Sequence, residues 1–324
     1  MSTFETSRRS LLAGLAATSL TACQGPAKSP KPGSVVLKVG NQKGTTKALM
    51  SAAGVLAGVP YPIEWSEFPA AQHLLEGLSA GAVDVGLVGD APYLFAFANG
   101  SELKVVQALT YGDSSNVAIL VPANSPIRTV ADLKGKRVAS GKISIGQYLL
   151  LRALESGGLT IKDIQPVYMA PSDAKAAFAS GNVDAWSTWS PFLDTAVLRD
   201  KARALITGKG LLASHAYQVA TPVAIRDKPV QLRDFLARIA KAYAWANANP
   251  QGYADALSRD TGLPSDVALS MVRAIHPAVA PMNDAIVADA DDIVKHLSAA
   301  SDQPIKARPI ADAFAKEFRT QQPG

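Results

Sequence analysis

Cysteine is the residue that this sequence has least of, since Cys23 is the only one in 324 residues. A disulfide needs two thiols, so no such bridge can form within the chain. The fold must therefore be stabilised by the burial of apolar groups. Hydrophobic residues make up 48% of the sequence, which is enough to build such a core.

Metal-binding and phosphate-binding patterns are missing as well. The four histidines show no metal-ligand spacing. Gly135 and Gly141 are separated by five residues rather than the four of a phosphate-binding loop, and Ile143 stands where that loop has serine or threonine. We therefore expect no metal, no cofactor and no enzymatic activity.

Charge and hydrophobic runs exclude two further classes of protein. The net charge of +5 is small and evenly dispersed, which does not fit a nucleic-acid-binding protein. Beyond the N-terminal region, no segment reaches about 18 apolar residues without a charge. We predict no nucleic-acid partner and no membrane-spanning helix in the later chain.

The N-terminal region has the features of an export signal. Arg8 and Arg9 precede an apolar run, Leu11 to Ala22, that is shorter than the roughly 20 residues of a membrane-spanning helix. The arginine pair indicates the twin-arginine route, although no lysine follows the leucines. We interpret residues 1–22 as a signal peptide.

Cys23 follows the residues Leu-Thr-Ala, and this tetrapeptide resembles a bacterial lipobox. The resemblance implies cleavage before Cys23 and acylation of its sulfur and new N-terminus, which would anchor the protein to a membrane. The alternative is a chance cysteine behind an ordinary signal. Residues 23–34 are rich in proline, lysine, glycine and serine, so we predict a flexible tether after the lipidated cysteine.

An internal repeat about one hundred residues apart organises the rest of the chain. Residues 81–85 (Gly-Ala-Val-Asp-Val) are echoed by residues 181–185 (Gly-Asn-Val-Asp-Ala), and residues 63–69 by residues 164–171. Each copy is typical of three strands that alternate with three helices, which predicts a parallel sheet covered by helices. Accidental similarity of two such stretches is the alternative.

We therefore predict an α/β fold of two lobes. The chain from about Pro229 is predicted to be helical, with helices also over residues 284–297 and 309–318. Strands at 117–120 and 219–224 are interpreted as the two crossovers of a hinge. Lobe 1 would comprise residues 35–116 and 226–324, and lobe 2 residues 117–225.

Several motifs occur in a recognisable order between about Leu37 and Ile225. They are Gln42-Lys43-Gly44, Glu67-Phe68-Pro69-Ala70, Gly89-Asp90-Ala91-Pro92, residues 124–135 and Asn182 to Trp186. Together they resemble the aliphatic sulfonate-binding proteins of ABC importers. Relatives with the same skeleton bind taurine, sulfate esters, nitrate or pyrimidines, so the ligand is less firmly indicated than the family.

This resemblance implies a type II periplasmic-binding-protein fold, in which two lobes joined by two hinge strands close around the ligand. It implies an ABC permease as the partner and a location in the periplasm, where we expect a monomer. Two departures affect the second lobe. Trp189-Ser190-Pro191-Phe192 replaces the family's Trp-Asp-Pro-Tyr, and residues 143–148 replace a serine run that ends in His-Asn. An unusual sulfonate or another anion would be consistent with these changes.

The predicted ligand-binding groups lie at strand ends and helix starts. Unpaired backbone N–H groups at helix starts suit a sulfonate, and hydroxyl and amide side chains assist them. Gln42 follows a strand end and could donate through its amide, Gly89 opens a helix, and Ser144 and Ser190 precede helices. A solvated loop residue or a simple helix cap is the alternative for Gln42, Ser144 and Ser190.

Aromatic and acidic candidates complete the predicted site. Trp186 and Trp189 are three apart in a strand and so face opposite sides, and we favour Trp189 as the wall for the ligand's carbon tail, with Phe68 as the weaker counterpart in lobe 1. Asp90 is predicted to cap its helix; if it reached the ligand instead, it would favour sulfonates that carry an ammonium group.

Other functions remain open at this point. A pyrimidine-precursor protein of the same fold could serve as another importer component or as a thiamine-related synthase-like enzyme. A lipid-tethered sensor or adhesin ectodomain is a further alternative.

Overall fold

The structure is a computed structural model that describes residues 35–42, 45–213, 215–300 and 308–319. The predicted signal peptide, the lipidated Cys23 and the tether lie outside these described residues.

The described part of the chain forms eleven strands in two sheets. The strands are β1 (Leu37–Gln42), β2 (Ile63–Phe68), β3 (Val85–Gly89), β4 (Lys104–Tyr111), β5 (Val117–Val121), β6 (Arg137–Ser140), β7 (Gln165–Tyr168), β8 (Ala185–Trp189), β9 (Arg203–Thr207), β10 (His215–Ala220) and β11 (Pro277–Ala280). The larger sheet has the order β11-β4-β10-β3-β1-β2 and the smaller one the order β7-β6-β8-β5-β9.

Helices and short 3-10 turns surround both sheets. The helices are α1 (Thr45–Ala52), α2 (Ala71–Ser79), α3 (Asp90–Ala98), α4 (Ile145–Ser156), α5 (Pro171–Ala179), α6 (Phe192–Leu198), α7 (Pro222–Asp227), α8 (Pro229–Ala248), α9 (Pro250–Thr261), α10 (Ser265–Ala274), α11 (Asp284–Ala299) and α12 (Lys316–Arg319). The 3-10 turns span Val130–Leu133, Ile161–Asp163 and Ile310–Ala313. None of the helices in the described ranges is both long and apolar enough to cross a membrane.

The sequence repeat corresponds to a repeated strand arrangement. The parallel order β2-β1-β3 in one sheet matches the parallel order β7-β6-β8 in the other. Asp84 accepts a hydrogen bond from the Lys38 backbone N–H at 2.7 Å, and Asp184 accepts one from the Arg137 backbone N–H at 2.8 Å. The repeated aspartate therefore ties the start of the third strand of each copy to the first strand.

The glycine of the repeat also has one structural role in both copies. Gly81 has φ +71° and Gly181 has φ +73°, the left-handed region that glycine adopts without a Cβ penalty. Each residue follows a helix, α2 or α5, and turns the chain toward the next strand. The fold class predicted from the repeat, α/β with two sheets, is confirmed.

Helix α8 shows why the C-terminal part is helical. Pro229 occupies its first position, where a missing N–H costs nothing. The apolar side chains recur at helical spacing and are buried against the larger sheet's core: Leu232, Phe235, Leu236, Ile239 and Tyr243.

Several details differ from the sequence-based expectations. The strand expected at 219–224 is β10, which ends at Ala220 and is followed by helix α7. It lies in the larger sheet, antiparallel between β3 and β4, so the larger sheet already resumes at residue 215 and not after 225. The helix expected over 309–318 is split, because Phe314 forms a bridge with Val105 of β4 between a 3-10 turn and α12.

The chain passes between the sheets twice, once from β4 to β5 and once from β9 to β10. The strand expected as the first crossover, 117–120, is β5 and lies wholly within the smaller sheet. The first connection therefore consists of residues 112–116, and the second begins at Gly208, whose N–H donates to Val117 O at 2.8 Å. In the described residues of both connections, turns and irregular backbone rather than strands join the two halves.

Candidate functional site

A cavity of ≈ 190 Å³ lies between elements of the two sheets. The larger-sheet half contributes residues from α1, β3, β4, α8, α9 and α10, and the smaller-sheet half contributes the end of β8 and the connection before β5. The lining residues are Thr45, Thr46, Leu49, Leu87, Tyr111, Asn116, Trp189, Ser190, Tyr243, Tyr253, Met271 and Ile275.

Three polar atoms in this lining are buried and have no hydrogen-bond partner among the described residues. They are Thr46 Oγ1, Asn116 Oδ1 and Ser190 Oγ. A buried polar group without a partner costs free energy, so proteins pair nearly all of them. Three such groups around one cavity, contributed by both halves, indicate that the cavity receives a polar molecule.

The start of α1 is held in place by a buried asparagine. Asn41 Oδ1 accepts from the backbone N–H of Thr46 at 3.0 Å and of Lys47 at 3.3 Å, and Asn41 Nδ2 donates to Glu67 Oε1 at 2.8 Å. These bonds fix the first turn of α1 and leave the Thr46 hydroxyl unpaired at the cavity. The sequence pointed to this helix start but not to Asn41.

Ser190 and Asn116 are neighbours across the smaller sheet. The Ser190 N–H donates to Asn116 O at 2.9 Å, which brings the two unpartnered side chains to the same side of the cavity. Helix α6 has Pro191 at its N-cap and no side-chain cap. The Ser190 hydroxyl is therefore not used as a helix cap, although capping was one alternative for it.

The two tryptophans of β8 have the different surroundings expected of them. Trp189 lines the cavity. Trp186 is 1% exposed and packs between Phe178 and Phe192, with ring centroids at 6.0 and 6.2 Å. Trp189 is therefore the tryptophan in a position to contact a ligand.

Much of the cavity wall comes from elements that sequence reasoning left out. Tyr111, Tyr243 and Tyr253, together with Met271 and Ile275, form an aromatic and apolar surface. Burial raises the pKa of Tyr111 to about 12 and also raises the pKa values of Tyr243 and Tyr253, so all three are neutral near pH 7. The lining residues that the structure describes include no aspartate, glutamate, lysine or arginine.

Three predicted residues of the larger-sheet half lie outside this lining. Gln42 Nε2 donates to Leu87 O at 2.7 Å, so its amide binds the neighbouring strand. The Phe68 ring packs against α2, since a Cβ atom placed on Gly77 would lie 2.7 Å from Phe68 Cζ. Gly89 is the N-cap residue of α3.

Asp90 also lies outside the lining. It is 1% exposed and accepts hydrogen bonds from the Ala91 N–H at 2.6 Å and the His215 N–H at 3.2 Å. Burial raises the pKa of its carboxyl to about 6, against the opposing influence of His215. The carboxylate thus serves the start of α3 and the adjacent strand β10, and His215 in turn pairs with Asp289 at 2.9 Å.

The start of α4 is closed by the protein's own side chains. Ser144 accepts from the Gln147 N–H at 3.2 Å as the N-cap, and Gln147 Oε1 accepts from the Ile143 N–H at 2.6 Å. The indole of Trp189 lies against this loop, because Cβ atoms on Gly141 and Gly146 would be 3.6 and 3.4 Å from it. Ser144 therefore caps α4 and is not part of the cavity lining.

Helices of the two halves contact each other directly. Ser270 of α10 donates to Asp194 Oδ1 of α6 at 2.6 Å, and Tyr148 of α4 donates to Asp292 Oδ2 of α11 at 2.6 Å. Helix α10 supplies Met271 to the cavity, and Ile275 follows directly after the helix. The structure thus has the two halves closed over the cavity. Within the described ranges, no group of three or more His, Cys, Asp or Glu side chains could hold a metal ion.

Residues 68–253 match the family model described as NMT1/THI5 like. A protein of Escherichia coli (strain K12) that is named for binding aliphatic sulfonates is 38% identical over 256 residues, which cover 78% of this chain and 80% of that protein. The match thus spans most of both chains.

Two crystal structures of binding proteins are similar. The periplasmic aliphatic sulphonate binding protein SsuA of Escherichia coli has a TM-score of 0.76 at 33% identity over 89% of this chain and 92% of that one. The alkanesulfonate-binding protein SsuA of Xanthomonas axonopodis pv. citri, bound to MOPS, has a TM-score of 0.77 at 31% identity over 86% and 98%. The desulfurization enzyme DSZB shares the fold alone, with a TM-score of 0.63 at 17% identity over 88% and 97%.

Proposed function

The chain belongs to the NMT1/THI5-like family, and we propose that it is the solute-binding component of an ABC importer, which captures a small organic sulfonate between its two halves and closes around it. The relatives named above that are at least 30% identical are sulfonate-binding proteins, and one of them is periplasmic. An ABC permease would receive the ligand from the closed protein.

The observation that carries this proposal is the set of unpartnered atoms in the shared cavity. Thr46 belongs to the larger-sheet half, and Ser190 and Asn116 belong to the smaller-sheet half. A molecule that bonds all three would hold the halves together. This is what ligand capture by hinge closure requires, because a ligand shifts the equilibrium only through contacts that differ between the open and closed states.

The chemistry of these groups suits a sulfonate. Hydroxyl groups donate to anionic oxygens, and the Asn116 amide can turn its NH₂ group toward them. Thr46 lies in the first turn of α1, where the helix dipole adds a partial positive charge. A sulfonate is a weakly basic anion with three acceptor oxygens, so neutral donors at a helix start can bind it without a lysine or arginine.

We propose further that Trp189 and Ser190 contact the ligand and that the protein is not an enzyme. Among the cavity-lining residues that the structure describes, none is a histidine, cysteine, lysine, aspartate or glutamate, the side chains that most often act as general bases. Gln42, Phe68, Gly89, Asp90 and Ser144 are better explained by the packing, capping and hydrogen bonds described above.

The sequence supports the remaining parts of the proposal. Residues 1–22 would direct export by the twin-arginine route, and acylation of Cys23 would anchor a monomeric protein at a membrane surface facing the periplasm. Radiolabelled palmitate in a producing strain, compared with the Cys23→Ser variant, tests the anchor. Incorporation that depends on Cys23 is expected, and label that persists in the variant would contradict it.

Thermal unfolding with a panel of ligands tests the function. The panel contains ethanesulfonate, benzenesulfonate, sulfate, nitrate and a hydroxymethylpyrimidine. At a concentration of about 100 times its Kd, a ligand stabilises the protein by about 2.7 kcal/mol and raises its Tm. We expect this from at least one sulfonate and from none of the other three. Stabilisation by nitrate or the pyrimidine, with no effect of any sulfonate, would overturn the proposal.

A further inference from the structure

The shape and chemistry of the cavity define the ligand more narrowly than the family does. We infer that the ligand is a monoanionic sulfonate whose body is uncharged and ring-sized, with its sulfonate at Thr46 and Ser190 and its ring among the tyrosines. This inference rests on the proposed function and concerns which sulfonates the site prefers.

The unpartnered polar atoms come from both halves of the cavity lining, and we place the sulfonate group between them. Thr46 Oγ1 is the buried hydroxyl of the α1 start, and Thr46 as a whole is 3% exposed. Ser190 Oγ and Asn116 Oδ1 come from two residues joined by the Ser190 N–H to Asn116 O bond. A single sulfonate group has three acceptor oxygens, which can accept from the two hydroxyl groups and from the Asn116 amide once it turns its NH₂ group toward the ligand.

Apart from Thr45, the remaining wall is half aromatic and half aliphatic. The residues that form it are Leu49, Leu87, Tyr111, Tyr243, Tyr253, Met271 and Ile275, with Trp189 on the opposite half. Aromatic side chains favour flat rings in offset or edge-to-face contact. Methionine adapts to irregular shapes and makes favourable contacts with rings.

The volume of the cavity fits a ring. A buried apolar cavity of about 150 Å³ is large enough to bind benzene, and this cavity, which would hold the sulfonate group as well as the ring, measures ≈ 190 Å³. Ethanesulfonate would leave much of the apolar wall without contacts. A benzene ring buries several more carbon atoms, and each buried methylene contributes roughly fourfold in affinity, so we expect benzenesulfonate to bind at least about 30-fold more tightly than ethanesulfonate.

A ligand that carries a positive charge in addition to its sulfonate group should bind weakly. The described lining residues include no carboxylate that could pair with an ammonium group, and the three tyrosines are neutral. Asp90, the acidic candidate from the sequence, is bonded to the backbone N–H groups of Ala91 and His215 and does not line the cavity. An ammonium group on the ligand would lose its hydration, and contact with the faces of the aromatic rings would offset only part of that cost without a carboxylate to neutralise the charge.

A second anionic group would also be disfavoured. The start of α4 in the smaller-sheet half contributes no residue to the described lining, and Ser144 accepts from the Gln147 N–H there while Gln147 Oε1 accepts from the Ile143 N–H just before the helix. The indole of Trp189 covers the glycines of this loop. The described lining therefore offers a binding position for one sulfonate group, and the second sulfonate of a disulfonate would have none.

Calorimetric titration of the wild-type protein with matched ring compounds tests the inference. The probes are ethanesulfonate, benzenesulfonate, 4-toluenesulfonate, 4-(aminomethyl)benzenesulfonate and benzene-1,3-disulfonate. Toluenesulfonate is the size control for the aminomethyl compound, because the two differ mainly in the ammonium group. We expect benzenesulfonate and toluenesulfonate to bind most tightly, and both the ammonium and the disulfonate compounds to bind at least tenfold more weakly than toluenesulfonate.

The variant Leu87→Phe tests where the ring lies. Leu87 lines the apolar part of the cavity, and a larger side chain there would reduce the space for a ring. We expect Leu87→Phe to weaken benzenesulfonate binding at least tenfold while ethanesulfonate binding stays within threefold. The volume-conserving variant Leu87→Met keeps the space for a ring, so it should weaken benzenesulfonate binding much less than Leu87→Phe does. Circular dichroism establishes that each variant is folded.

The results of these titrations distinguish failure of the inference about the ring from failure of the proposed function. If ethanesulfonate or the ammonium compound binds as tightly as benzenesulfonate, the inference is wrong and the proposed function stands. Equal weakening of ethanesulfonate and benzenesulfonate in a folded Leu87→Phe protein would overturn the placement of the ring. If no sulfonate binds the wild-type protein, the proposed function itself fails.

Discussion

Ser114 in the first connection between the sheets donates its hydroxyl hydrogen to the Leu212 carbonyl oxygen in the second connection, at 3.0 Å. Both residues are buried, at 1% and 8% exposure. The two segments that join the halves are thus bonded to each other, and any hinge motion acts on this pair. Ser114 has φ +66°, so its backbone is already in a conformation that few residues adopt.

The hinge bond should contribute measurably to stability. Ser114→Ala leaves the buried Leu212 carbonyl without its donor, so we expect the free energy of unfolding to fall by about 1–2 kcal/mol. Urea denaturation followed by circular dichroism measures this. Ser115→Ala is the matched control, since the Ser115 hydroxyl donates to Asp113 Oδ1 at an exposed position, and it should change stability by less than about 0.5 kcal/mol. Equal losses of stability in the two variants would contradict a stabilising role for the hydrogen bond between Ser114 and Leu212.

The contact between Ser270 and Asp194 should favour the closed state. Asp194 is 3% exposed, and its second oxygen has no partner among the described residues, so its burial depends on the hydroxyl of Ser270. Ser270→Ala should therefore weaken sulfonate binding about 5- to 10-fold, because the cost falls on the closed state alone. Calorimetry measures the change in Kd.

Asp266→Asn is the control for this contact. Asp266 pairs with Arg199 between the same two helices at 2.5 Å, but about half of each side chain is exposed. Exposed ion pairs contribute little, so Kd should change by less than about threefold. A larger effect of Asp266→Asn than of Ser270→Ala would show that the buried contact does not govern closure.

Asp90 should make stability depend on pH. Burial raises its pKa from 3.8 to about 6 in the folded protein. Between these values the native state binds a proton that the unfolded state has lost, so Asp90 contributes less stability as the pH rises from about 4 to about 6. The stability of the wild type relative to Asp90→Asn should therefore fall by up to roughly 3 kcal/mol between pH 4 and pH 7.

Urea denaturation of both proteins at pH 4, 5, 6 and 7 tests this dependence. The asparagine introduced by Asp90→Asn would keep one acceptor and present its NH₂ group to the other backbone donor, which lowers stability by an amount that does not vary with pH. The slope, and not the absolute difference, is therefore the result that matters. A difference that stays constant over this range would contradict the raised pKa.

Gln147 should stabilise the fold without contributing to ligand binding. It is 4% exposed, accepts from the Ile143 N–H and donates to the Tyr168 hydroxyl at 3.1 Å. Gln147→Ala should lower the free energy of unfolding by about 1–3 kcal/mol. The exposed Gln165, which donates to Gly135 O, provides the control variant Gln165→Ala. Sulfonate affinity should stay within threefold in both variants; a tenfold loss in Gln147→Ala would show that the α4 start binds the ligand.

The repeat could be predicted from the sequence because its cause is local. Asp84 and Asp184 make the same backbone hydrogen bond in each half, and Gly81 and Gly181 adopt the same left-handed turn. When a structural role depends only on residues close together in the chain, the same residue types recur at the same spacing in both copies of the repeat. The family resemblance rests on the same segments.

The residues that line the cavity were harder to predict from the sequence. Tyr243 and Tyr253 lie at helical spacings that predict core positions, and only the packing of α8, α9 and α10 brings them to the cavity. Strand β10 inserts between β3 and β4 through long-range pairing that no local pattern indicates. The capping role of Ser144 did have a signal, because serine followed by glutamine three residues later is typical of a capping box.

The crystal structure of the protein with bound benzenesulfonate is the most direct test of the shared cavity. We predict that the sulfonate oxygens lie at hydrogen-bonding distance, about 2.7–3.2 Å, from Thr46 Oγ1 and Ser190 Oγ, with the ring between Trp189 and the tyrosines. A ligand bound at the start of α3 or α4, or on the outer surface of either half, would contradict the account.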